Sequence, residues 1–110
     1  MSDDRAAISD APDRSRFEAT LGGETAGFLE YRRRPGRITL VHTQVDPAFE
    51  GRGVGSAIAR FALEDARTNG LRVRVACPFV AAWLRRHHEY DDILDTGPTP
   101  PGLGGSRTAS

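Results

Sequence analysis

Three places in this 110-residue chain put groups suited to chemistry at telling positions: a glycine-rich run from Glu50 to Ser56, the single cysteine Cys77 before Pro78, and His42. In Glu50-Gly51-Arg52-Gly53-Val54-Gly55-Ser56 the glycines alternate with other residues. Such a run turns sharply and leaves the backbone N–H groups unscreened by side chains. A helix-like stretch follows, and the next acid after Glu50 is Glu64, so the positive end of that helix is not neutralised from within. Backbone donors beside an uncompensated helix start suit a phosphate. Cys77 falls where a strand gives way to a helix, and a thiol there has its thiolate stabilised by the helix dipole. The alternative is a small buried hydrophobe. His42 reads either as a satisfied polar group in the core or as a general base, since imidazole titrates near neutrality.

The glycine run departs from two familiar phosphate loops. A Walker loop ends in Gly-Lys-Ser/Thr, and here Ser56 follows Gly55 directly. A dinucleotide fingerprint needs Gly-x-Gly-x-x-Gly and an acid ending the next strand. Gly51, Gly53 and Gly55 are spaced differently, and residues 71–76 hold no acid. A plain flexible turn is the remaining alternative. His42, His87 and His88 lack the spacings of a metal-binding motif, so no metal is expected. His87 reads as structural and His88 as exposed, while Phe61, Phe79 and Trp83 read as core.

Residues 16–21 alternate as a half-buried strand, Gly22-Gly23 marks a hairpin, and residues 26–32 form the returning strand. Pro35-Gly36 is a second turn. The stretch Arg37–Val45, rich in β-branched residues, is a third strand leading into the glycine run. Residues 55–69 predict a helix with Ile58 and Phe61 towards the sheet, stopped by Asn69-Gly70. Residues 71–76 are a fourth strand, parallel to the third because a helix connects them. Pro78 suits the first position of a second helix, making Cys77 its N-cap. The expected fold class is α/β with a mixed sheet: an antiparallel meander, then a βαβ unit and a C-terminal helix.

Glu50-Gly51-Arg52-Gly53-Val54-Gly55 resembles the acetyl-CoA loop of the GNAT superfamily of N-acetyltransferases. The wider order of His42-Thr43, Cys77-Pro78-Phe79-Val80 and Arg86-His87-His88-Glu89-Tyr90 resembles a small single-domain group within it. Glu50 stands where most members carry Gln or Arg, and His88 where the small group often has Pro. The resemblance implies a compact GNAT-like fold and transfer of an acetyl group from acetyl-CoA to a small-molecule or protein amine. It implies cofactor binding by Thr43, Val45, Glu50, Gly51, Arg52, Gly53, Val54, Gly55 and Ser56. Val45 N–H is then an oxyanion donor, and Cys77 and His42 are the candidate catalytic residues. A CoA-binding module with little transfer activity and a protein-interaction adaptor are the alternatives.

Fifteen basic and fifteen acidic residues cancel, so no global field draws the chain to nucleic acid or an anionic membrane. One cysteine excludes an internal disulfide. The N-terminus is acidic where a secretory signal is basic, and the expected compartment is cytoplasmic. Residues 1–15 and 96–110 are poor in large apolar side chains and are expected to be disordered, leaving a domain over 16–95. A monomer or a weak homodimer is expected. Arg32, Arg33, Arg34 and Arg37 form a local basic patch, read as solvated turn residues or as an attractor for an anion.

Overall fold

A computed structural model describes residues 6–95. Five strands lie in sequence order across one sheet: β1 (Ala7–Ala11), β2 (Arg16–Leu21), β3 (Glu24–Arg34), β4 (Arg37–Val45) and β5 (Arg72–Val75). The first four are antiparallel neighbours and β5 runs parallel to β4. Helix α1 (Val54–Thr68) makes the crossover, and α2 (Pro78–Leu84) follows β5. The mixed sheet with a meander and a βαβ unit is the architecture the sequence predicts.

Alternation on the strands and a helical stripe on α1 meet in one core. Phe17, Leu29, Ile38, Leu40 and Val73 from the sheet are buried with Ile58 and Leu63 from α1 and Val80 and Trp83 from α2. Fully burying a side chain of this size contributes about 1.5–3 kcal/mol each. Phe61 is only half-buried and packs edge-on to Phe17 at 5.6 Å, so it borders the core.

The N-terminal expectation needs correction. Residues 7–11 form β1, followed by a single 3-10 turn at Pro12–Arg14, so part of the stretch expected to be disordered is ordered. Its apolar content did not announce it, because polar contacts help hold it. Asp10 accepts a hydrogen bond from the Tyr31 hydroxyl (2.5 Å) and faces Arg33 at 3.3 Å. Burial first, then the bond to Asp10, pushes the Tyr31 phenol up to about 12, so it remains a donor. The expected disorder of residues 96–110 lies outside the described residues.

At the far edge, the chain after α2 returns over β5. Leu94 bridges Val73, Asp95 N–H donates to the Val73 carbonyl (2.7 Å), and Arg37 pairs with Asp95 at 3.0 Å. These contacts occupy an edge that would otherwise present free backbone groups.

Candidate active site

The site begins where β4 and β5 part. Their pairing ends at Leu40 and Val75, with a last bond from Ala76 N–H to the Leu40 carbonyl (2.8 Å). Pro78 opens α2 two residues later and turns the chain away. Strand β4 continues to Val45 on its β3 side alone.

A bulge decides what that overhang presents. Glu30 pairs with His42 while Tyr31 pairs with Leu40, so Val41 is the extra residue. An extra residue reverses which face each later side chain meets. Ile38 and Leu40 point into the core, whereas His42 is exposed on the opposite face, edge-on to Phe28 at 6.3 Å. His42 is therefore not a polar group of the core, one of the two readings the sequence left open. Thr43 now faces inward, and its hydroxyl lies 3.2 Å from the Cys77 sulfur.

The bulge also leaves the backbone phase legible. Asp46 N–H donates to the Ala26 carbonyl (2.8 Å). Antiparallel pairs alternate between exchanging bonds and turning their polar groups outward. Hence His42, Gln44 and Asp46 bond towards β3, and Thr43 and Val45 turn N–H and C=O into the gap that β5 has vacated. That edge can receive an extended ligand, much as a sheet edge receives a strand.

Beside the overhang, a cleft of about 450 Å³ opens at the start of α1. Thr43 and Val45 form one wall and the loop from Phe49 to Ser56, without Arg52, forms the floor. Gly51 and Gly53 have φ of 84° and 77°, a left-handed backbone that disfavours side chains. Gly53 is the N-cap of α1, and no acid lies in the first turn. At Gly55 a Cβ would sit 2.8 Å from the Phe79 ring, so a side chain there requires that ring to shift. Val54 is buried, and its side chain lies towards Gly27 of β3. Arg52 does not line the cleft; its guanidinium lies 6.0 Å from the Phe49 ring centroid.

The opposite wall comes from residues that the sequence reading did not assign to the site. Phe79, Trp83 and Arg86 all line the cleft. Their i, i+4, i+7 spacing is one stripe of α2 and the turn that continues it, so helical periodicity was the signal available. Phe79 is 42% exposed, not core as expected. Trp83 is fixed on every side. Its indole N–H donates to the Ser56 hydroxyl (2.7 Å), His87 stacks on it at 3.8 Å, and Arg60 sits 5.3 Å from its ring. His87 is structural, as expected, with Nδ1 2.8 Å from the Trp83 carbonyl oxygen. Tyr90 lies 5.9 Å from Trp83, and burial, then the Glu64 carboxylate, pushes its phenol up.

Cys77 is the N-cap of α2, as predicted, and is 2% exposed. Its thiol makes no capping bond, and its polar contact is Thr43. Thr43, Val45 and the loop are thus brought together with Cys77 behind them. His42 stands apart, on the outer face of the same overhang.

A family model described as GCN5-related N-acetyltransferase matches residues 16–93. The chain belongs to the GCN5-related N-acetyltransferase family. The match takes in β2 to β5, the glycine loop, both helices and the Arg86–Tyr90 segment. Among solved structures, this acetyltransferase fold is similar to a GCN5-like protein from Staphylococcus aureus determined by NMR in solution. The TM-score is 0.63 at 24% identity, over 81% of this chain and 87% of that one. Ard1 from Thermoplasma volcanium aligns at 27% identity over 56% of this chain and 43% of that one, with a TM-score of 0.49. No curated protein matches the sequence. No helix among the described residues is long and apolar enough to cross a membrane.

Proposed function

We propose that this GCN5-related protein transfers an acetyl group from acetyl-CoA to an amine. The observation that carries the reading is the overhang of β4: Thr43 and Val45 turn backbone groups into a gap that ends at the anion-ready start of α1. A pantetheine arm is an extended chain with amides and suits that edge. A diphosphate suits the N–H groups at residues 51–56, where Gly51 and Gly53 keep the approach clear of side chains. Glu50, at the mouth, is the one feature opposed to an anion.

The thioester supplies an activated acyl carbon; the amine nitrogen bonds to it, the carbon–sulfur bond breaks, and CoA leaves as thiolate. Val45 N–H is the donor we assign to the developing oxyanion. Thr43 holds the Cys77 sulfur at the inner side of the gap, and Cys77 lines the site without forming a covalent intermediate. We assign the approach of the amine to the outer face of the overhang. His42 stands at that outer lip, and we assign it to remove the ammonium proton before attack. That proton then passes to the leaving thiolate, and the second proton, shed by the nitrogen as it becomes an amide, goes to solvent.

Calorimetric titration with acetyl-CoA, followed by measurement of thioester loss against a panel of amines, tests the reading. Saturable binding with amine-dependent release of CoA is expected. A folded protein that binds acetyl-CoA but releases no CoA with any amine would leave a binding module, and one that binds none would leave an adaptor.

A further inference from the structure

Resting on the acetyl-CoA reading, we propose that Arg86 is a phosphate-binding residue: its guanidinium clamps the cofactor's diphosphate against the start of α1 and offsets Glu50. Among the described residues that line the cleft, Arg86 is the sole cation and Glu50 the sole carboxylate. Arg60 is engaged with Glu89 and Tyr90, and Arg67 with Asp92. Arg86 is exposed and, among the described residues, has no side-chain partner.

Charge counting shows why the cleft needs it. A helix start is equivalent to roughly half a positive charge. Glu50 brings a full negative charge, so the loop residues that line the cleft and the helix start together leave it net negative and repel a diphosphate. Adding Arg86 returns the sum to about half a positive charge. A guanidinium also meets a phosphate with two parallel N–H bonds, which an ammonium does not.

The geometry holds Arg86 to this task. It lies one helical turn beyond Trp83, whose ring is fixed to Ser56 of α1 by the indole bond. Arg86 N–H bonds to the Trp83 carbonyl (3.0 Å), so its backbone is tied to that anchor. The diphosphate is therefore gripped between two elements, the α1 N–H groups and a side chain carried by the end of α2.

Affinities of CoA and of dephospho-CoA, which lacks the 3′-phosphate, measured by calorimetry at low and physiological salt test the assignment. Arg86→Gln, checked for folding by circular dichroism, is expected to weaken both ligands by a similar factor, on the order of tenfold, most strongly at low salt. Arg86→Lys is expected to fall between the two. Glu50→Gln is expected to tighten both ligands modestly and to recover part of the loss in the double variant. Unchanged affinity in folded Arg86→Gln overturns the assignment, and so does a loss confined to CoA, which would put the guanidinium on the 3′-phosphate. Parent protein that binds neither ligand overturns the cofactor reading and this one together.

Discussion

Gly27 tests whether the wall of the cleft is set by backbone contact. It sits on β3 opposite Val45. A Cβ built there lies 2.7 Å from the Gln44 carbonyl oxygen, 3.2 Å from the Val45 Cα and 3.4 Å from Val54 Cγ1. The first two are backbone atoms of the overhang and cannot rotate aside. Forcing a methyl into such a place costs about 1–3 kcal/mol. Against this, Gly→Ala restricts the unfolded chain and returns about 0.4–1 kcal/mol. The net expectation for Gly27→Ala is destabilisation by about 1–2 kcal/mol, or roughly 4–16 °C in Tm for a domain of this size. Gly55→Ala is the matched control. Its Cβ meets the Phe79 ring at 2.8 Å, but that ring is 42% exposed and free to swing. Alanine also favours the helix by up to about 1 kcal/mol, so Tm should be unchanged or higher. Thermal unfolding by circular dichroism at fixed pH and concentration gives the first comparison, and acetyl-CoA titration the second. Gly27→Ala should lose affinity as well as stability, because the strand it displaces carries Thr43 and Val45. Equal stability of Gly27→Ala and parent, or equal losses in the two variants, would refute the reasoning.

Gly53→Val forces a β-branched residue into φ 77° at the α1 N-cap, and acetyl-CoA affinity should drop at least tenfold, about 1.4 kcal/mol; a folded variant binding as tightly as parent in calorimetry would remove the cradle. Cys77→Ser keeps a group able to bond the Thr43 hydroxyl and should retain activity within about tenfold. Intact-mass spectrometry of parent mixed with acetyl-CoA should then show no hydroxylamine-sensitive acetyl adduct, and a rapid one would establish a covalent route. Glu18 contributes to acid sensitivity. Hydrogen bonds from Arg14 and Arg16 at 2.8–2.9 Å hold its carboxyl down to about 2 from 4.5. The folded pKa lies below the unfolded one, so these bonds stabilise fully above about 4.5 and are lost as pH falls towards 2. Glu18→Gln should flatten the loss of stability between those values; curves parallel to parent would contradict it.

Local chemistry made much of this protein legible in the sequence. Gly22-Gly23 and Pro35-Gly36 lie at the two hairpin turns, as backbone preference requires. Alternation and helical period located β2 to β5 and α1, and Pro78 placed Cys77 at an N-cap. The glycine loop was recognisable because positive φ at Gly51 and Gly53 is a property of single residues. What the sequence did not reveal depended on partners distant in the chain. Strand β1 has a single large apolar side chain, Ile8, and is helped by Asp10 meeting Tyr31 and Arg33, more than twenty positions away. The bulge at Val41 is a mismatch between two strands, invisible in either alone, yet it sends His42 outward and turns Thr43 towards Cys77. Phe79 and Arg86 line the cleft because α2 docks Trp83 onto Ser56, twenty-seven residues away. Sequence alone determined the elements and their turns, whose energetics are local; the tertiary structure decided which faces of those elements form the site, because register and docking belong to pairs of segments.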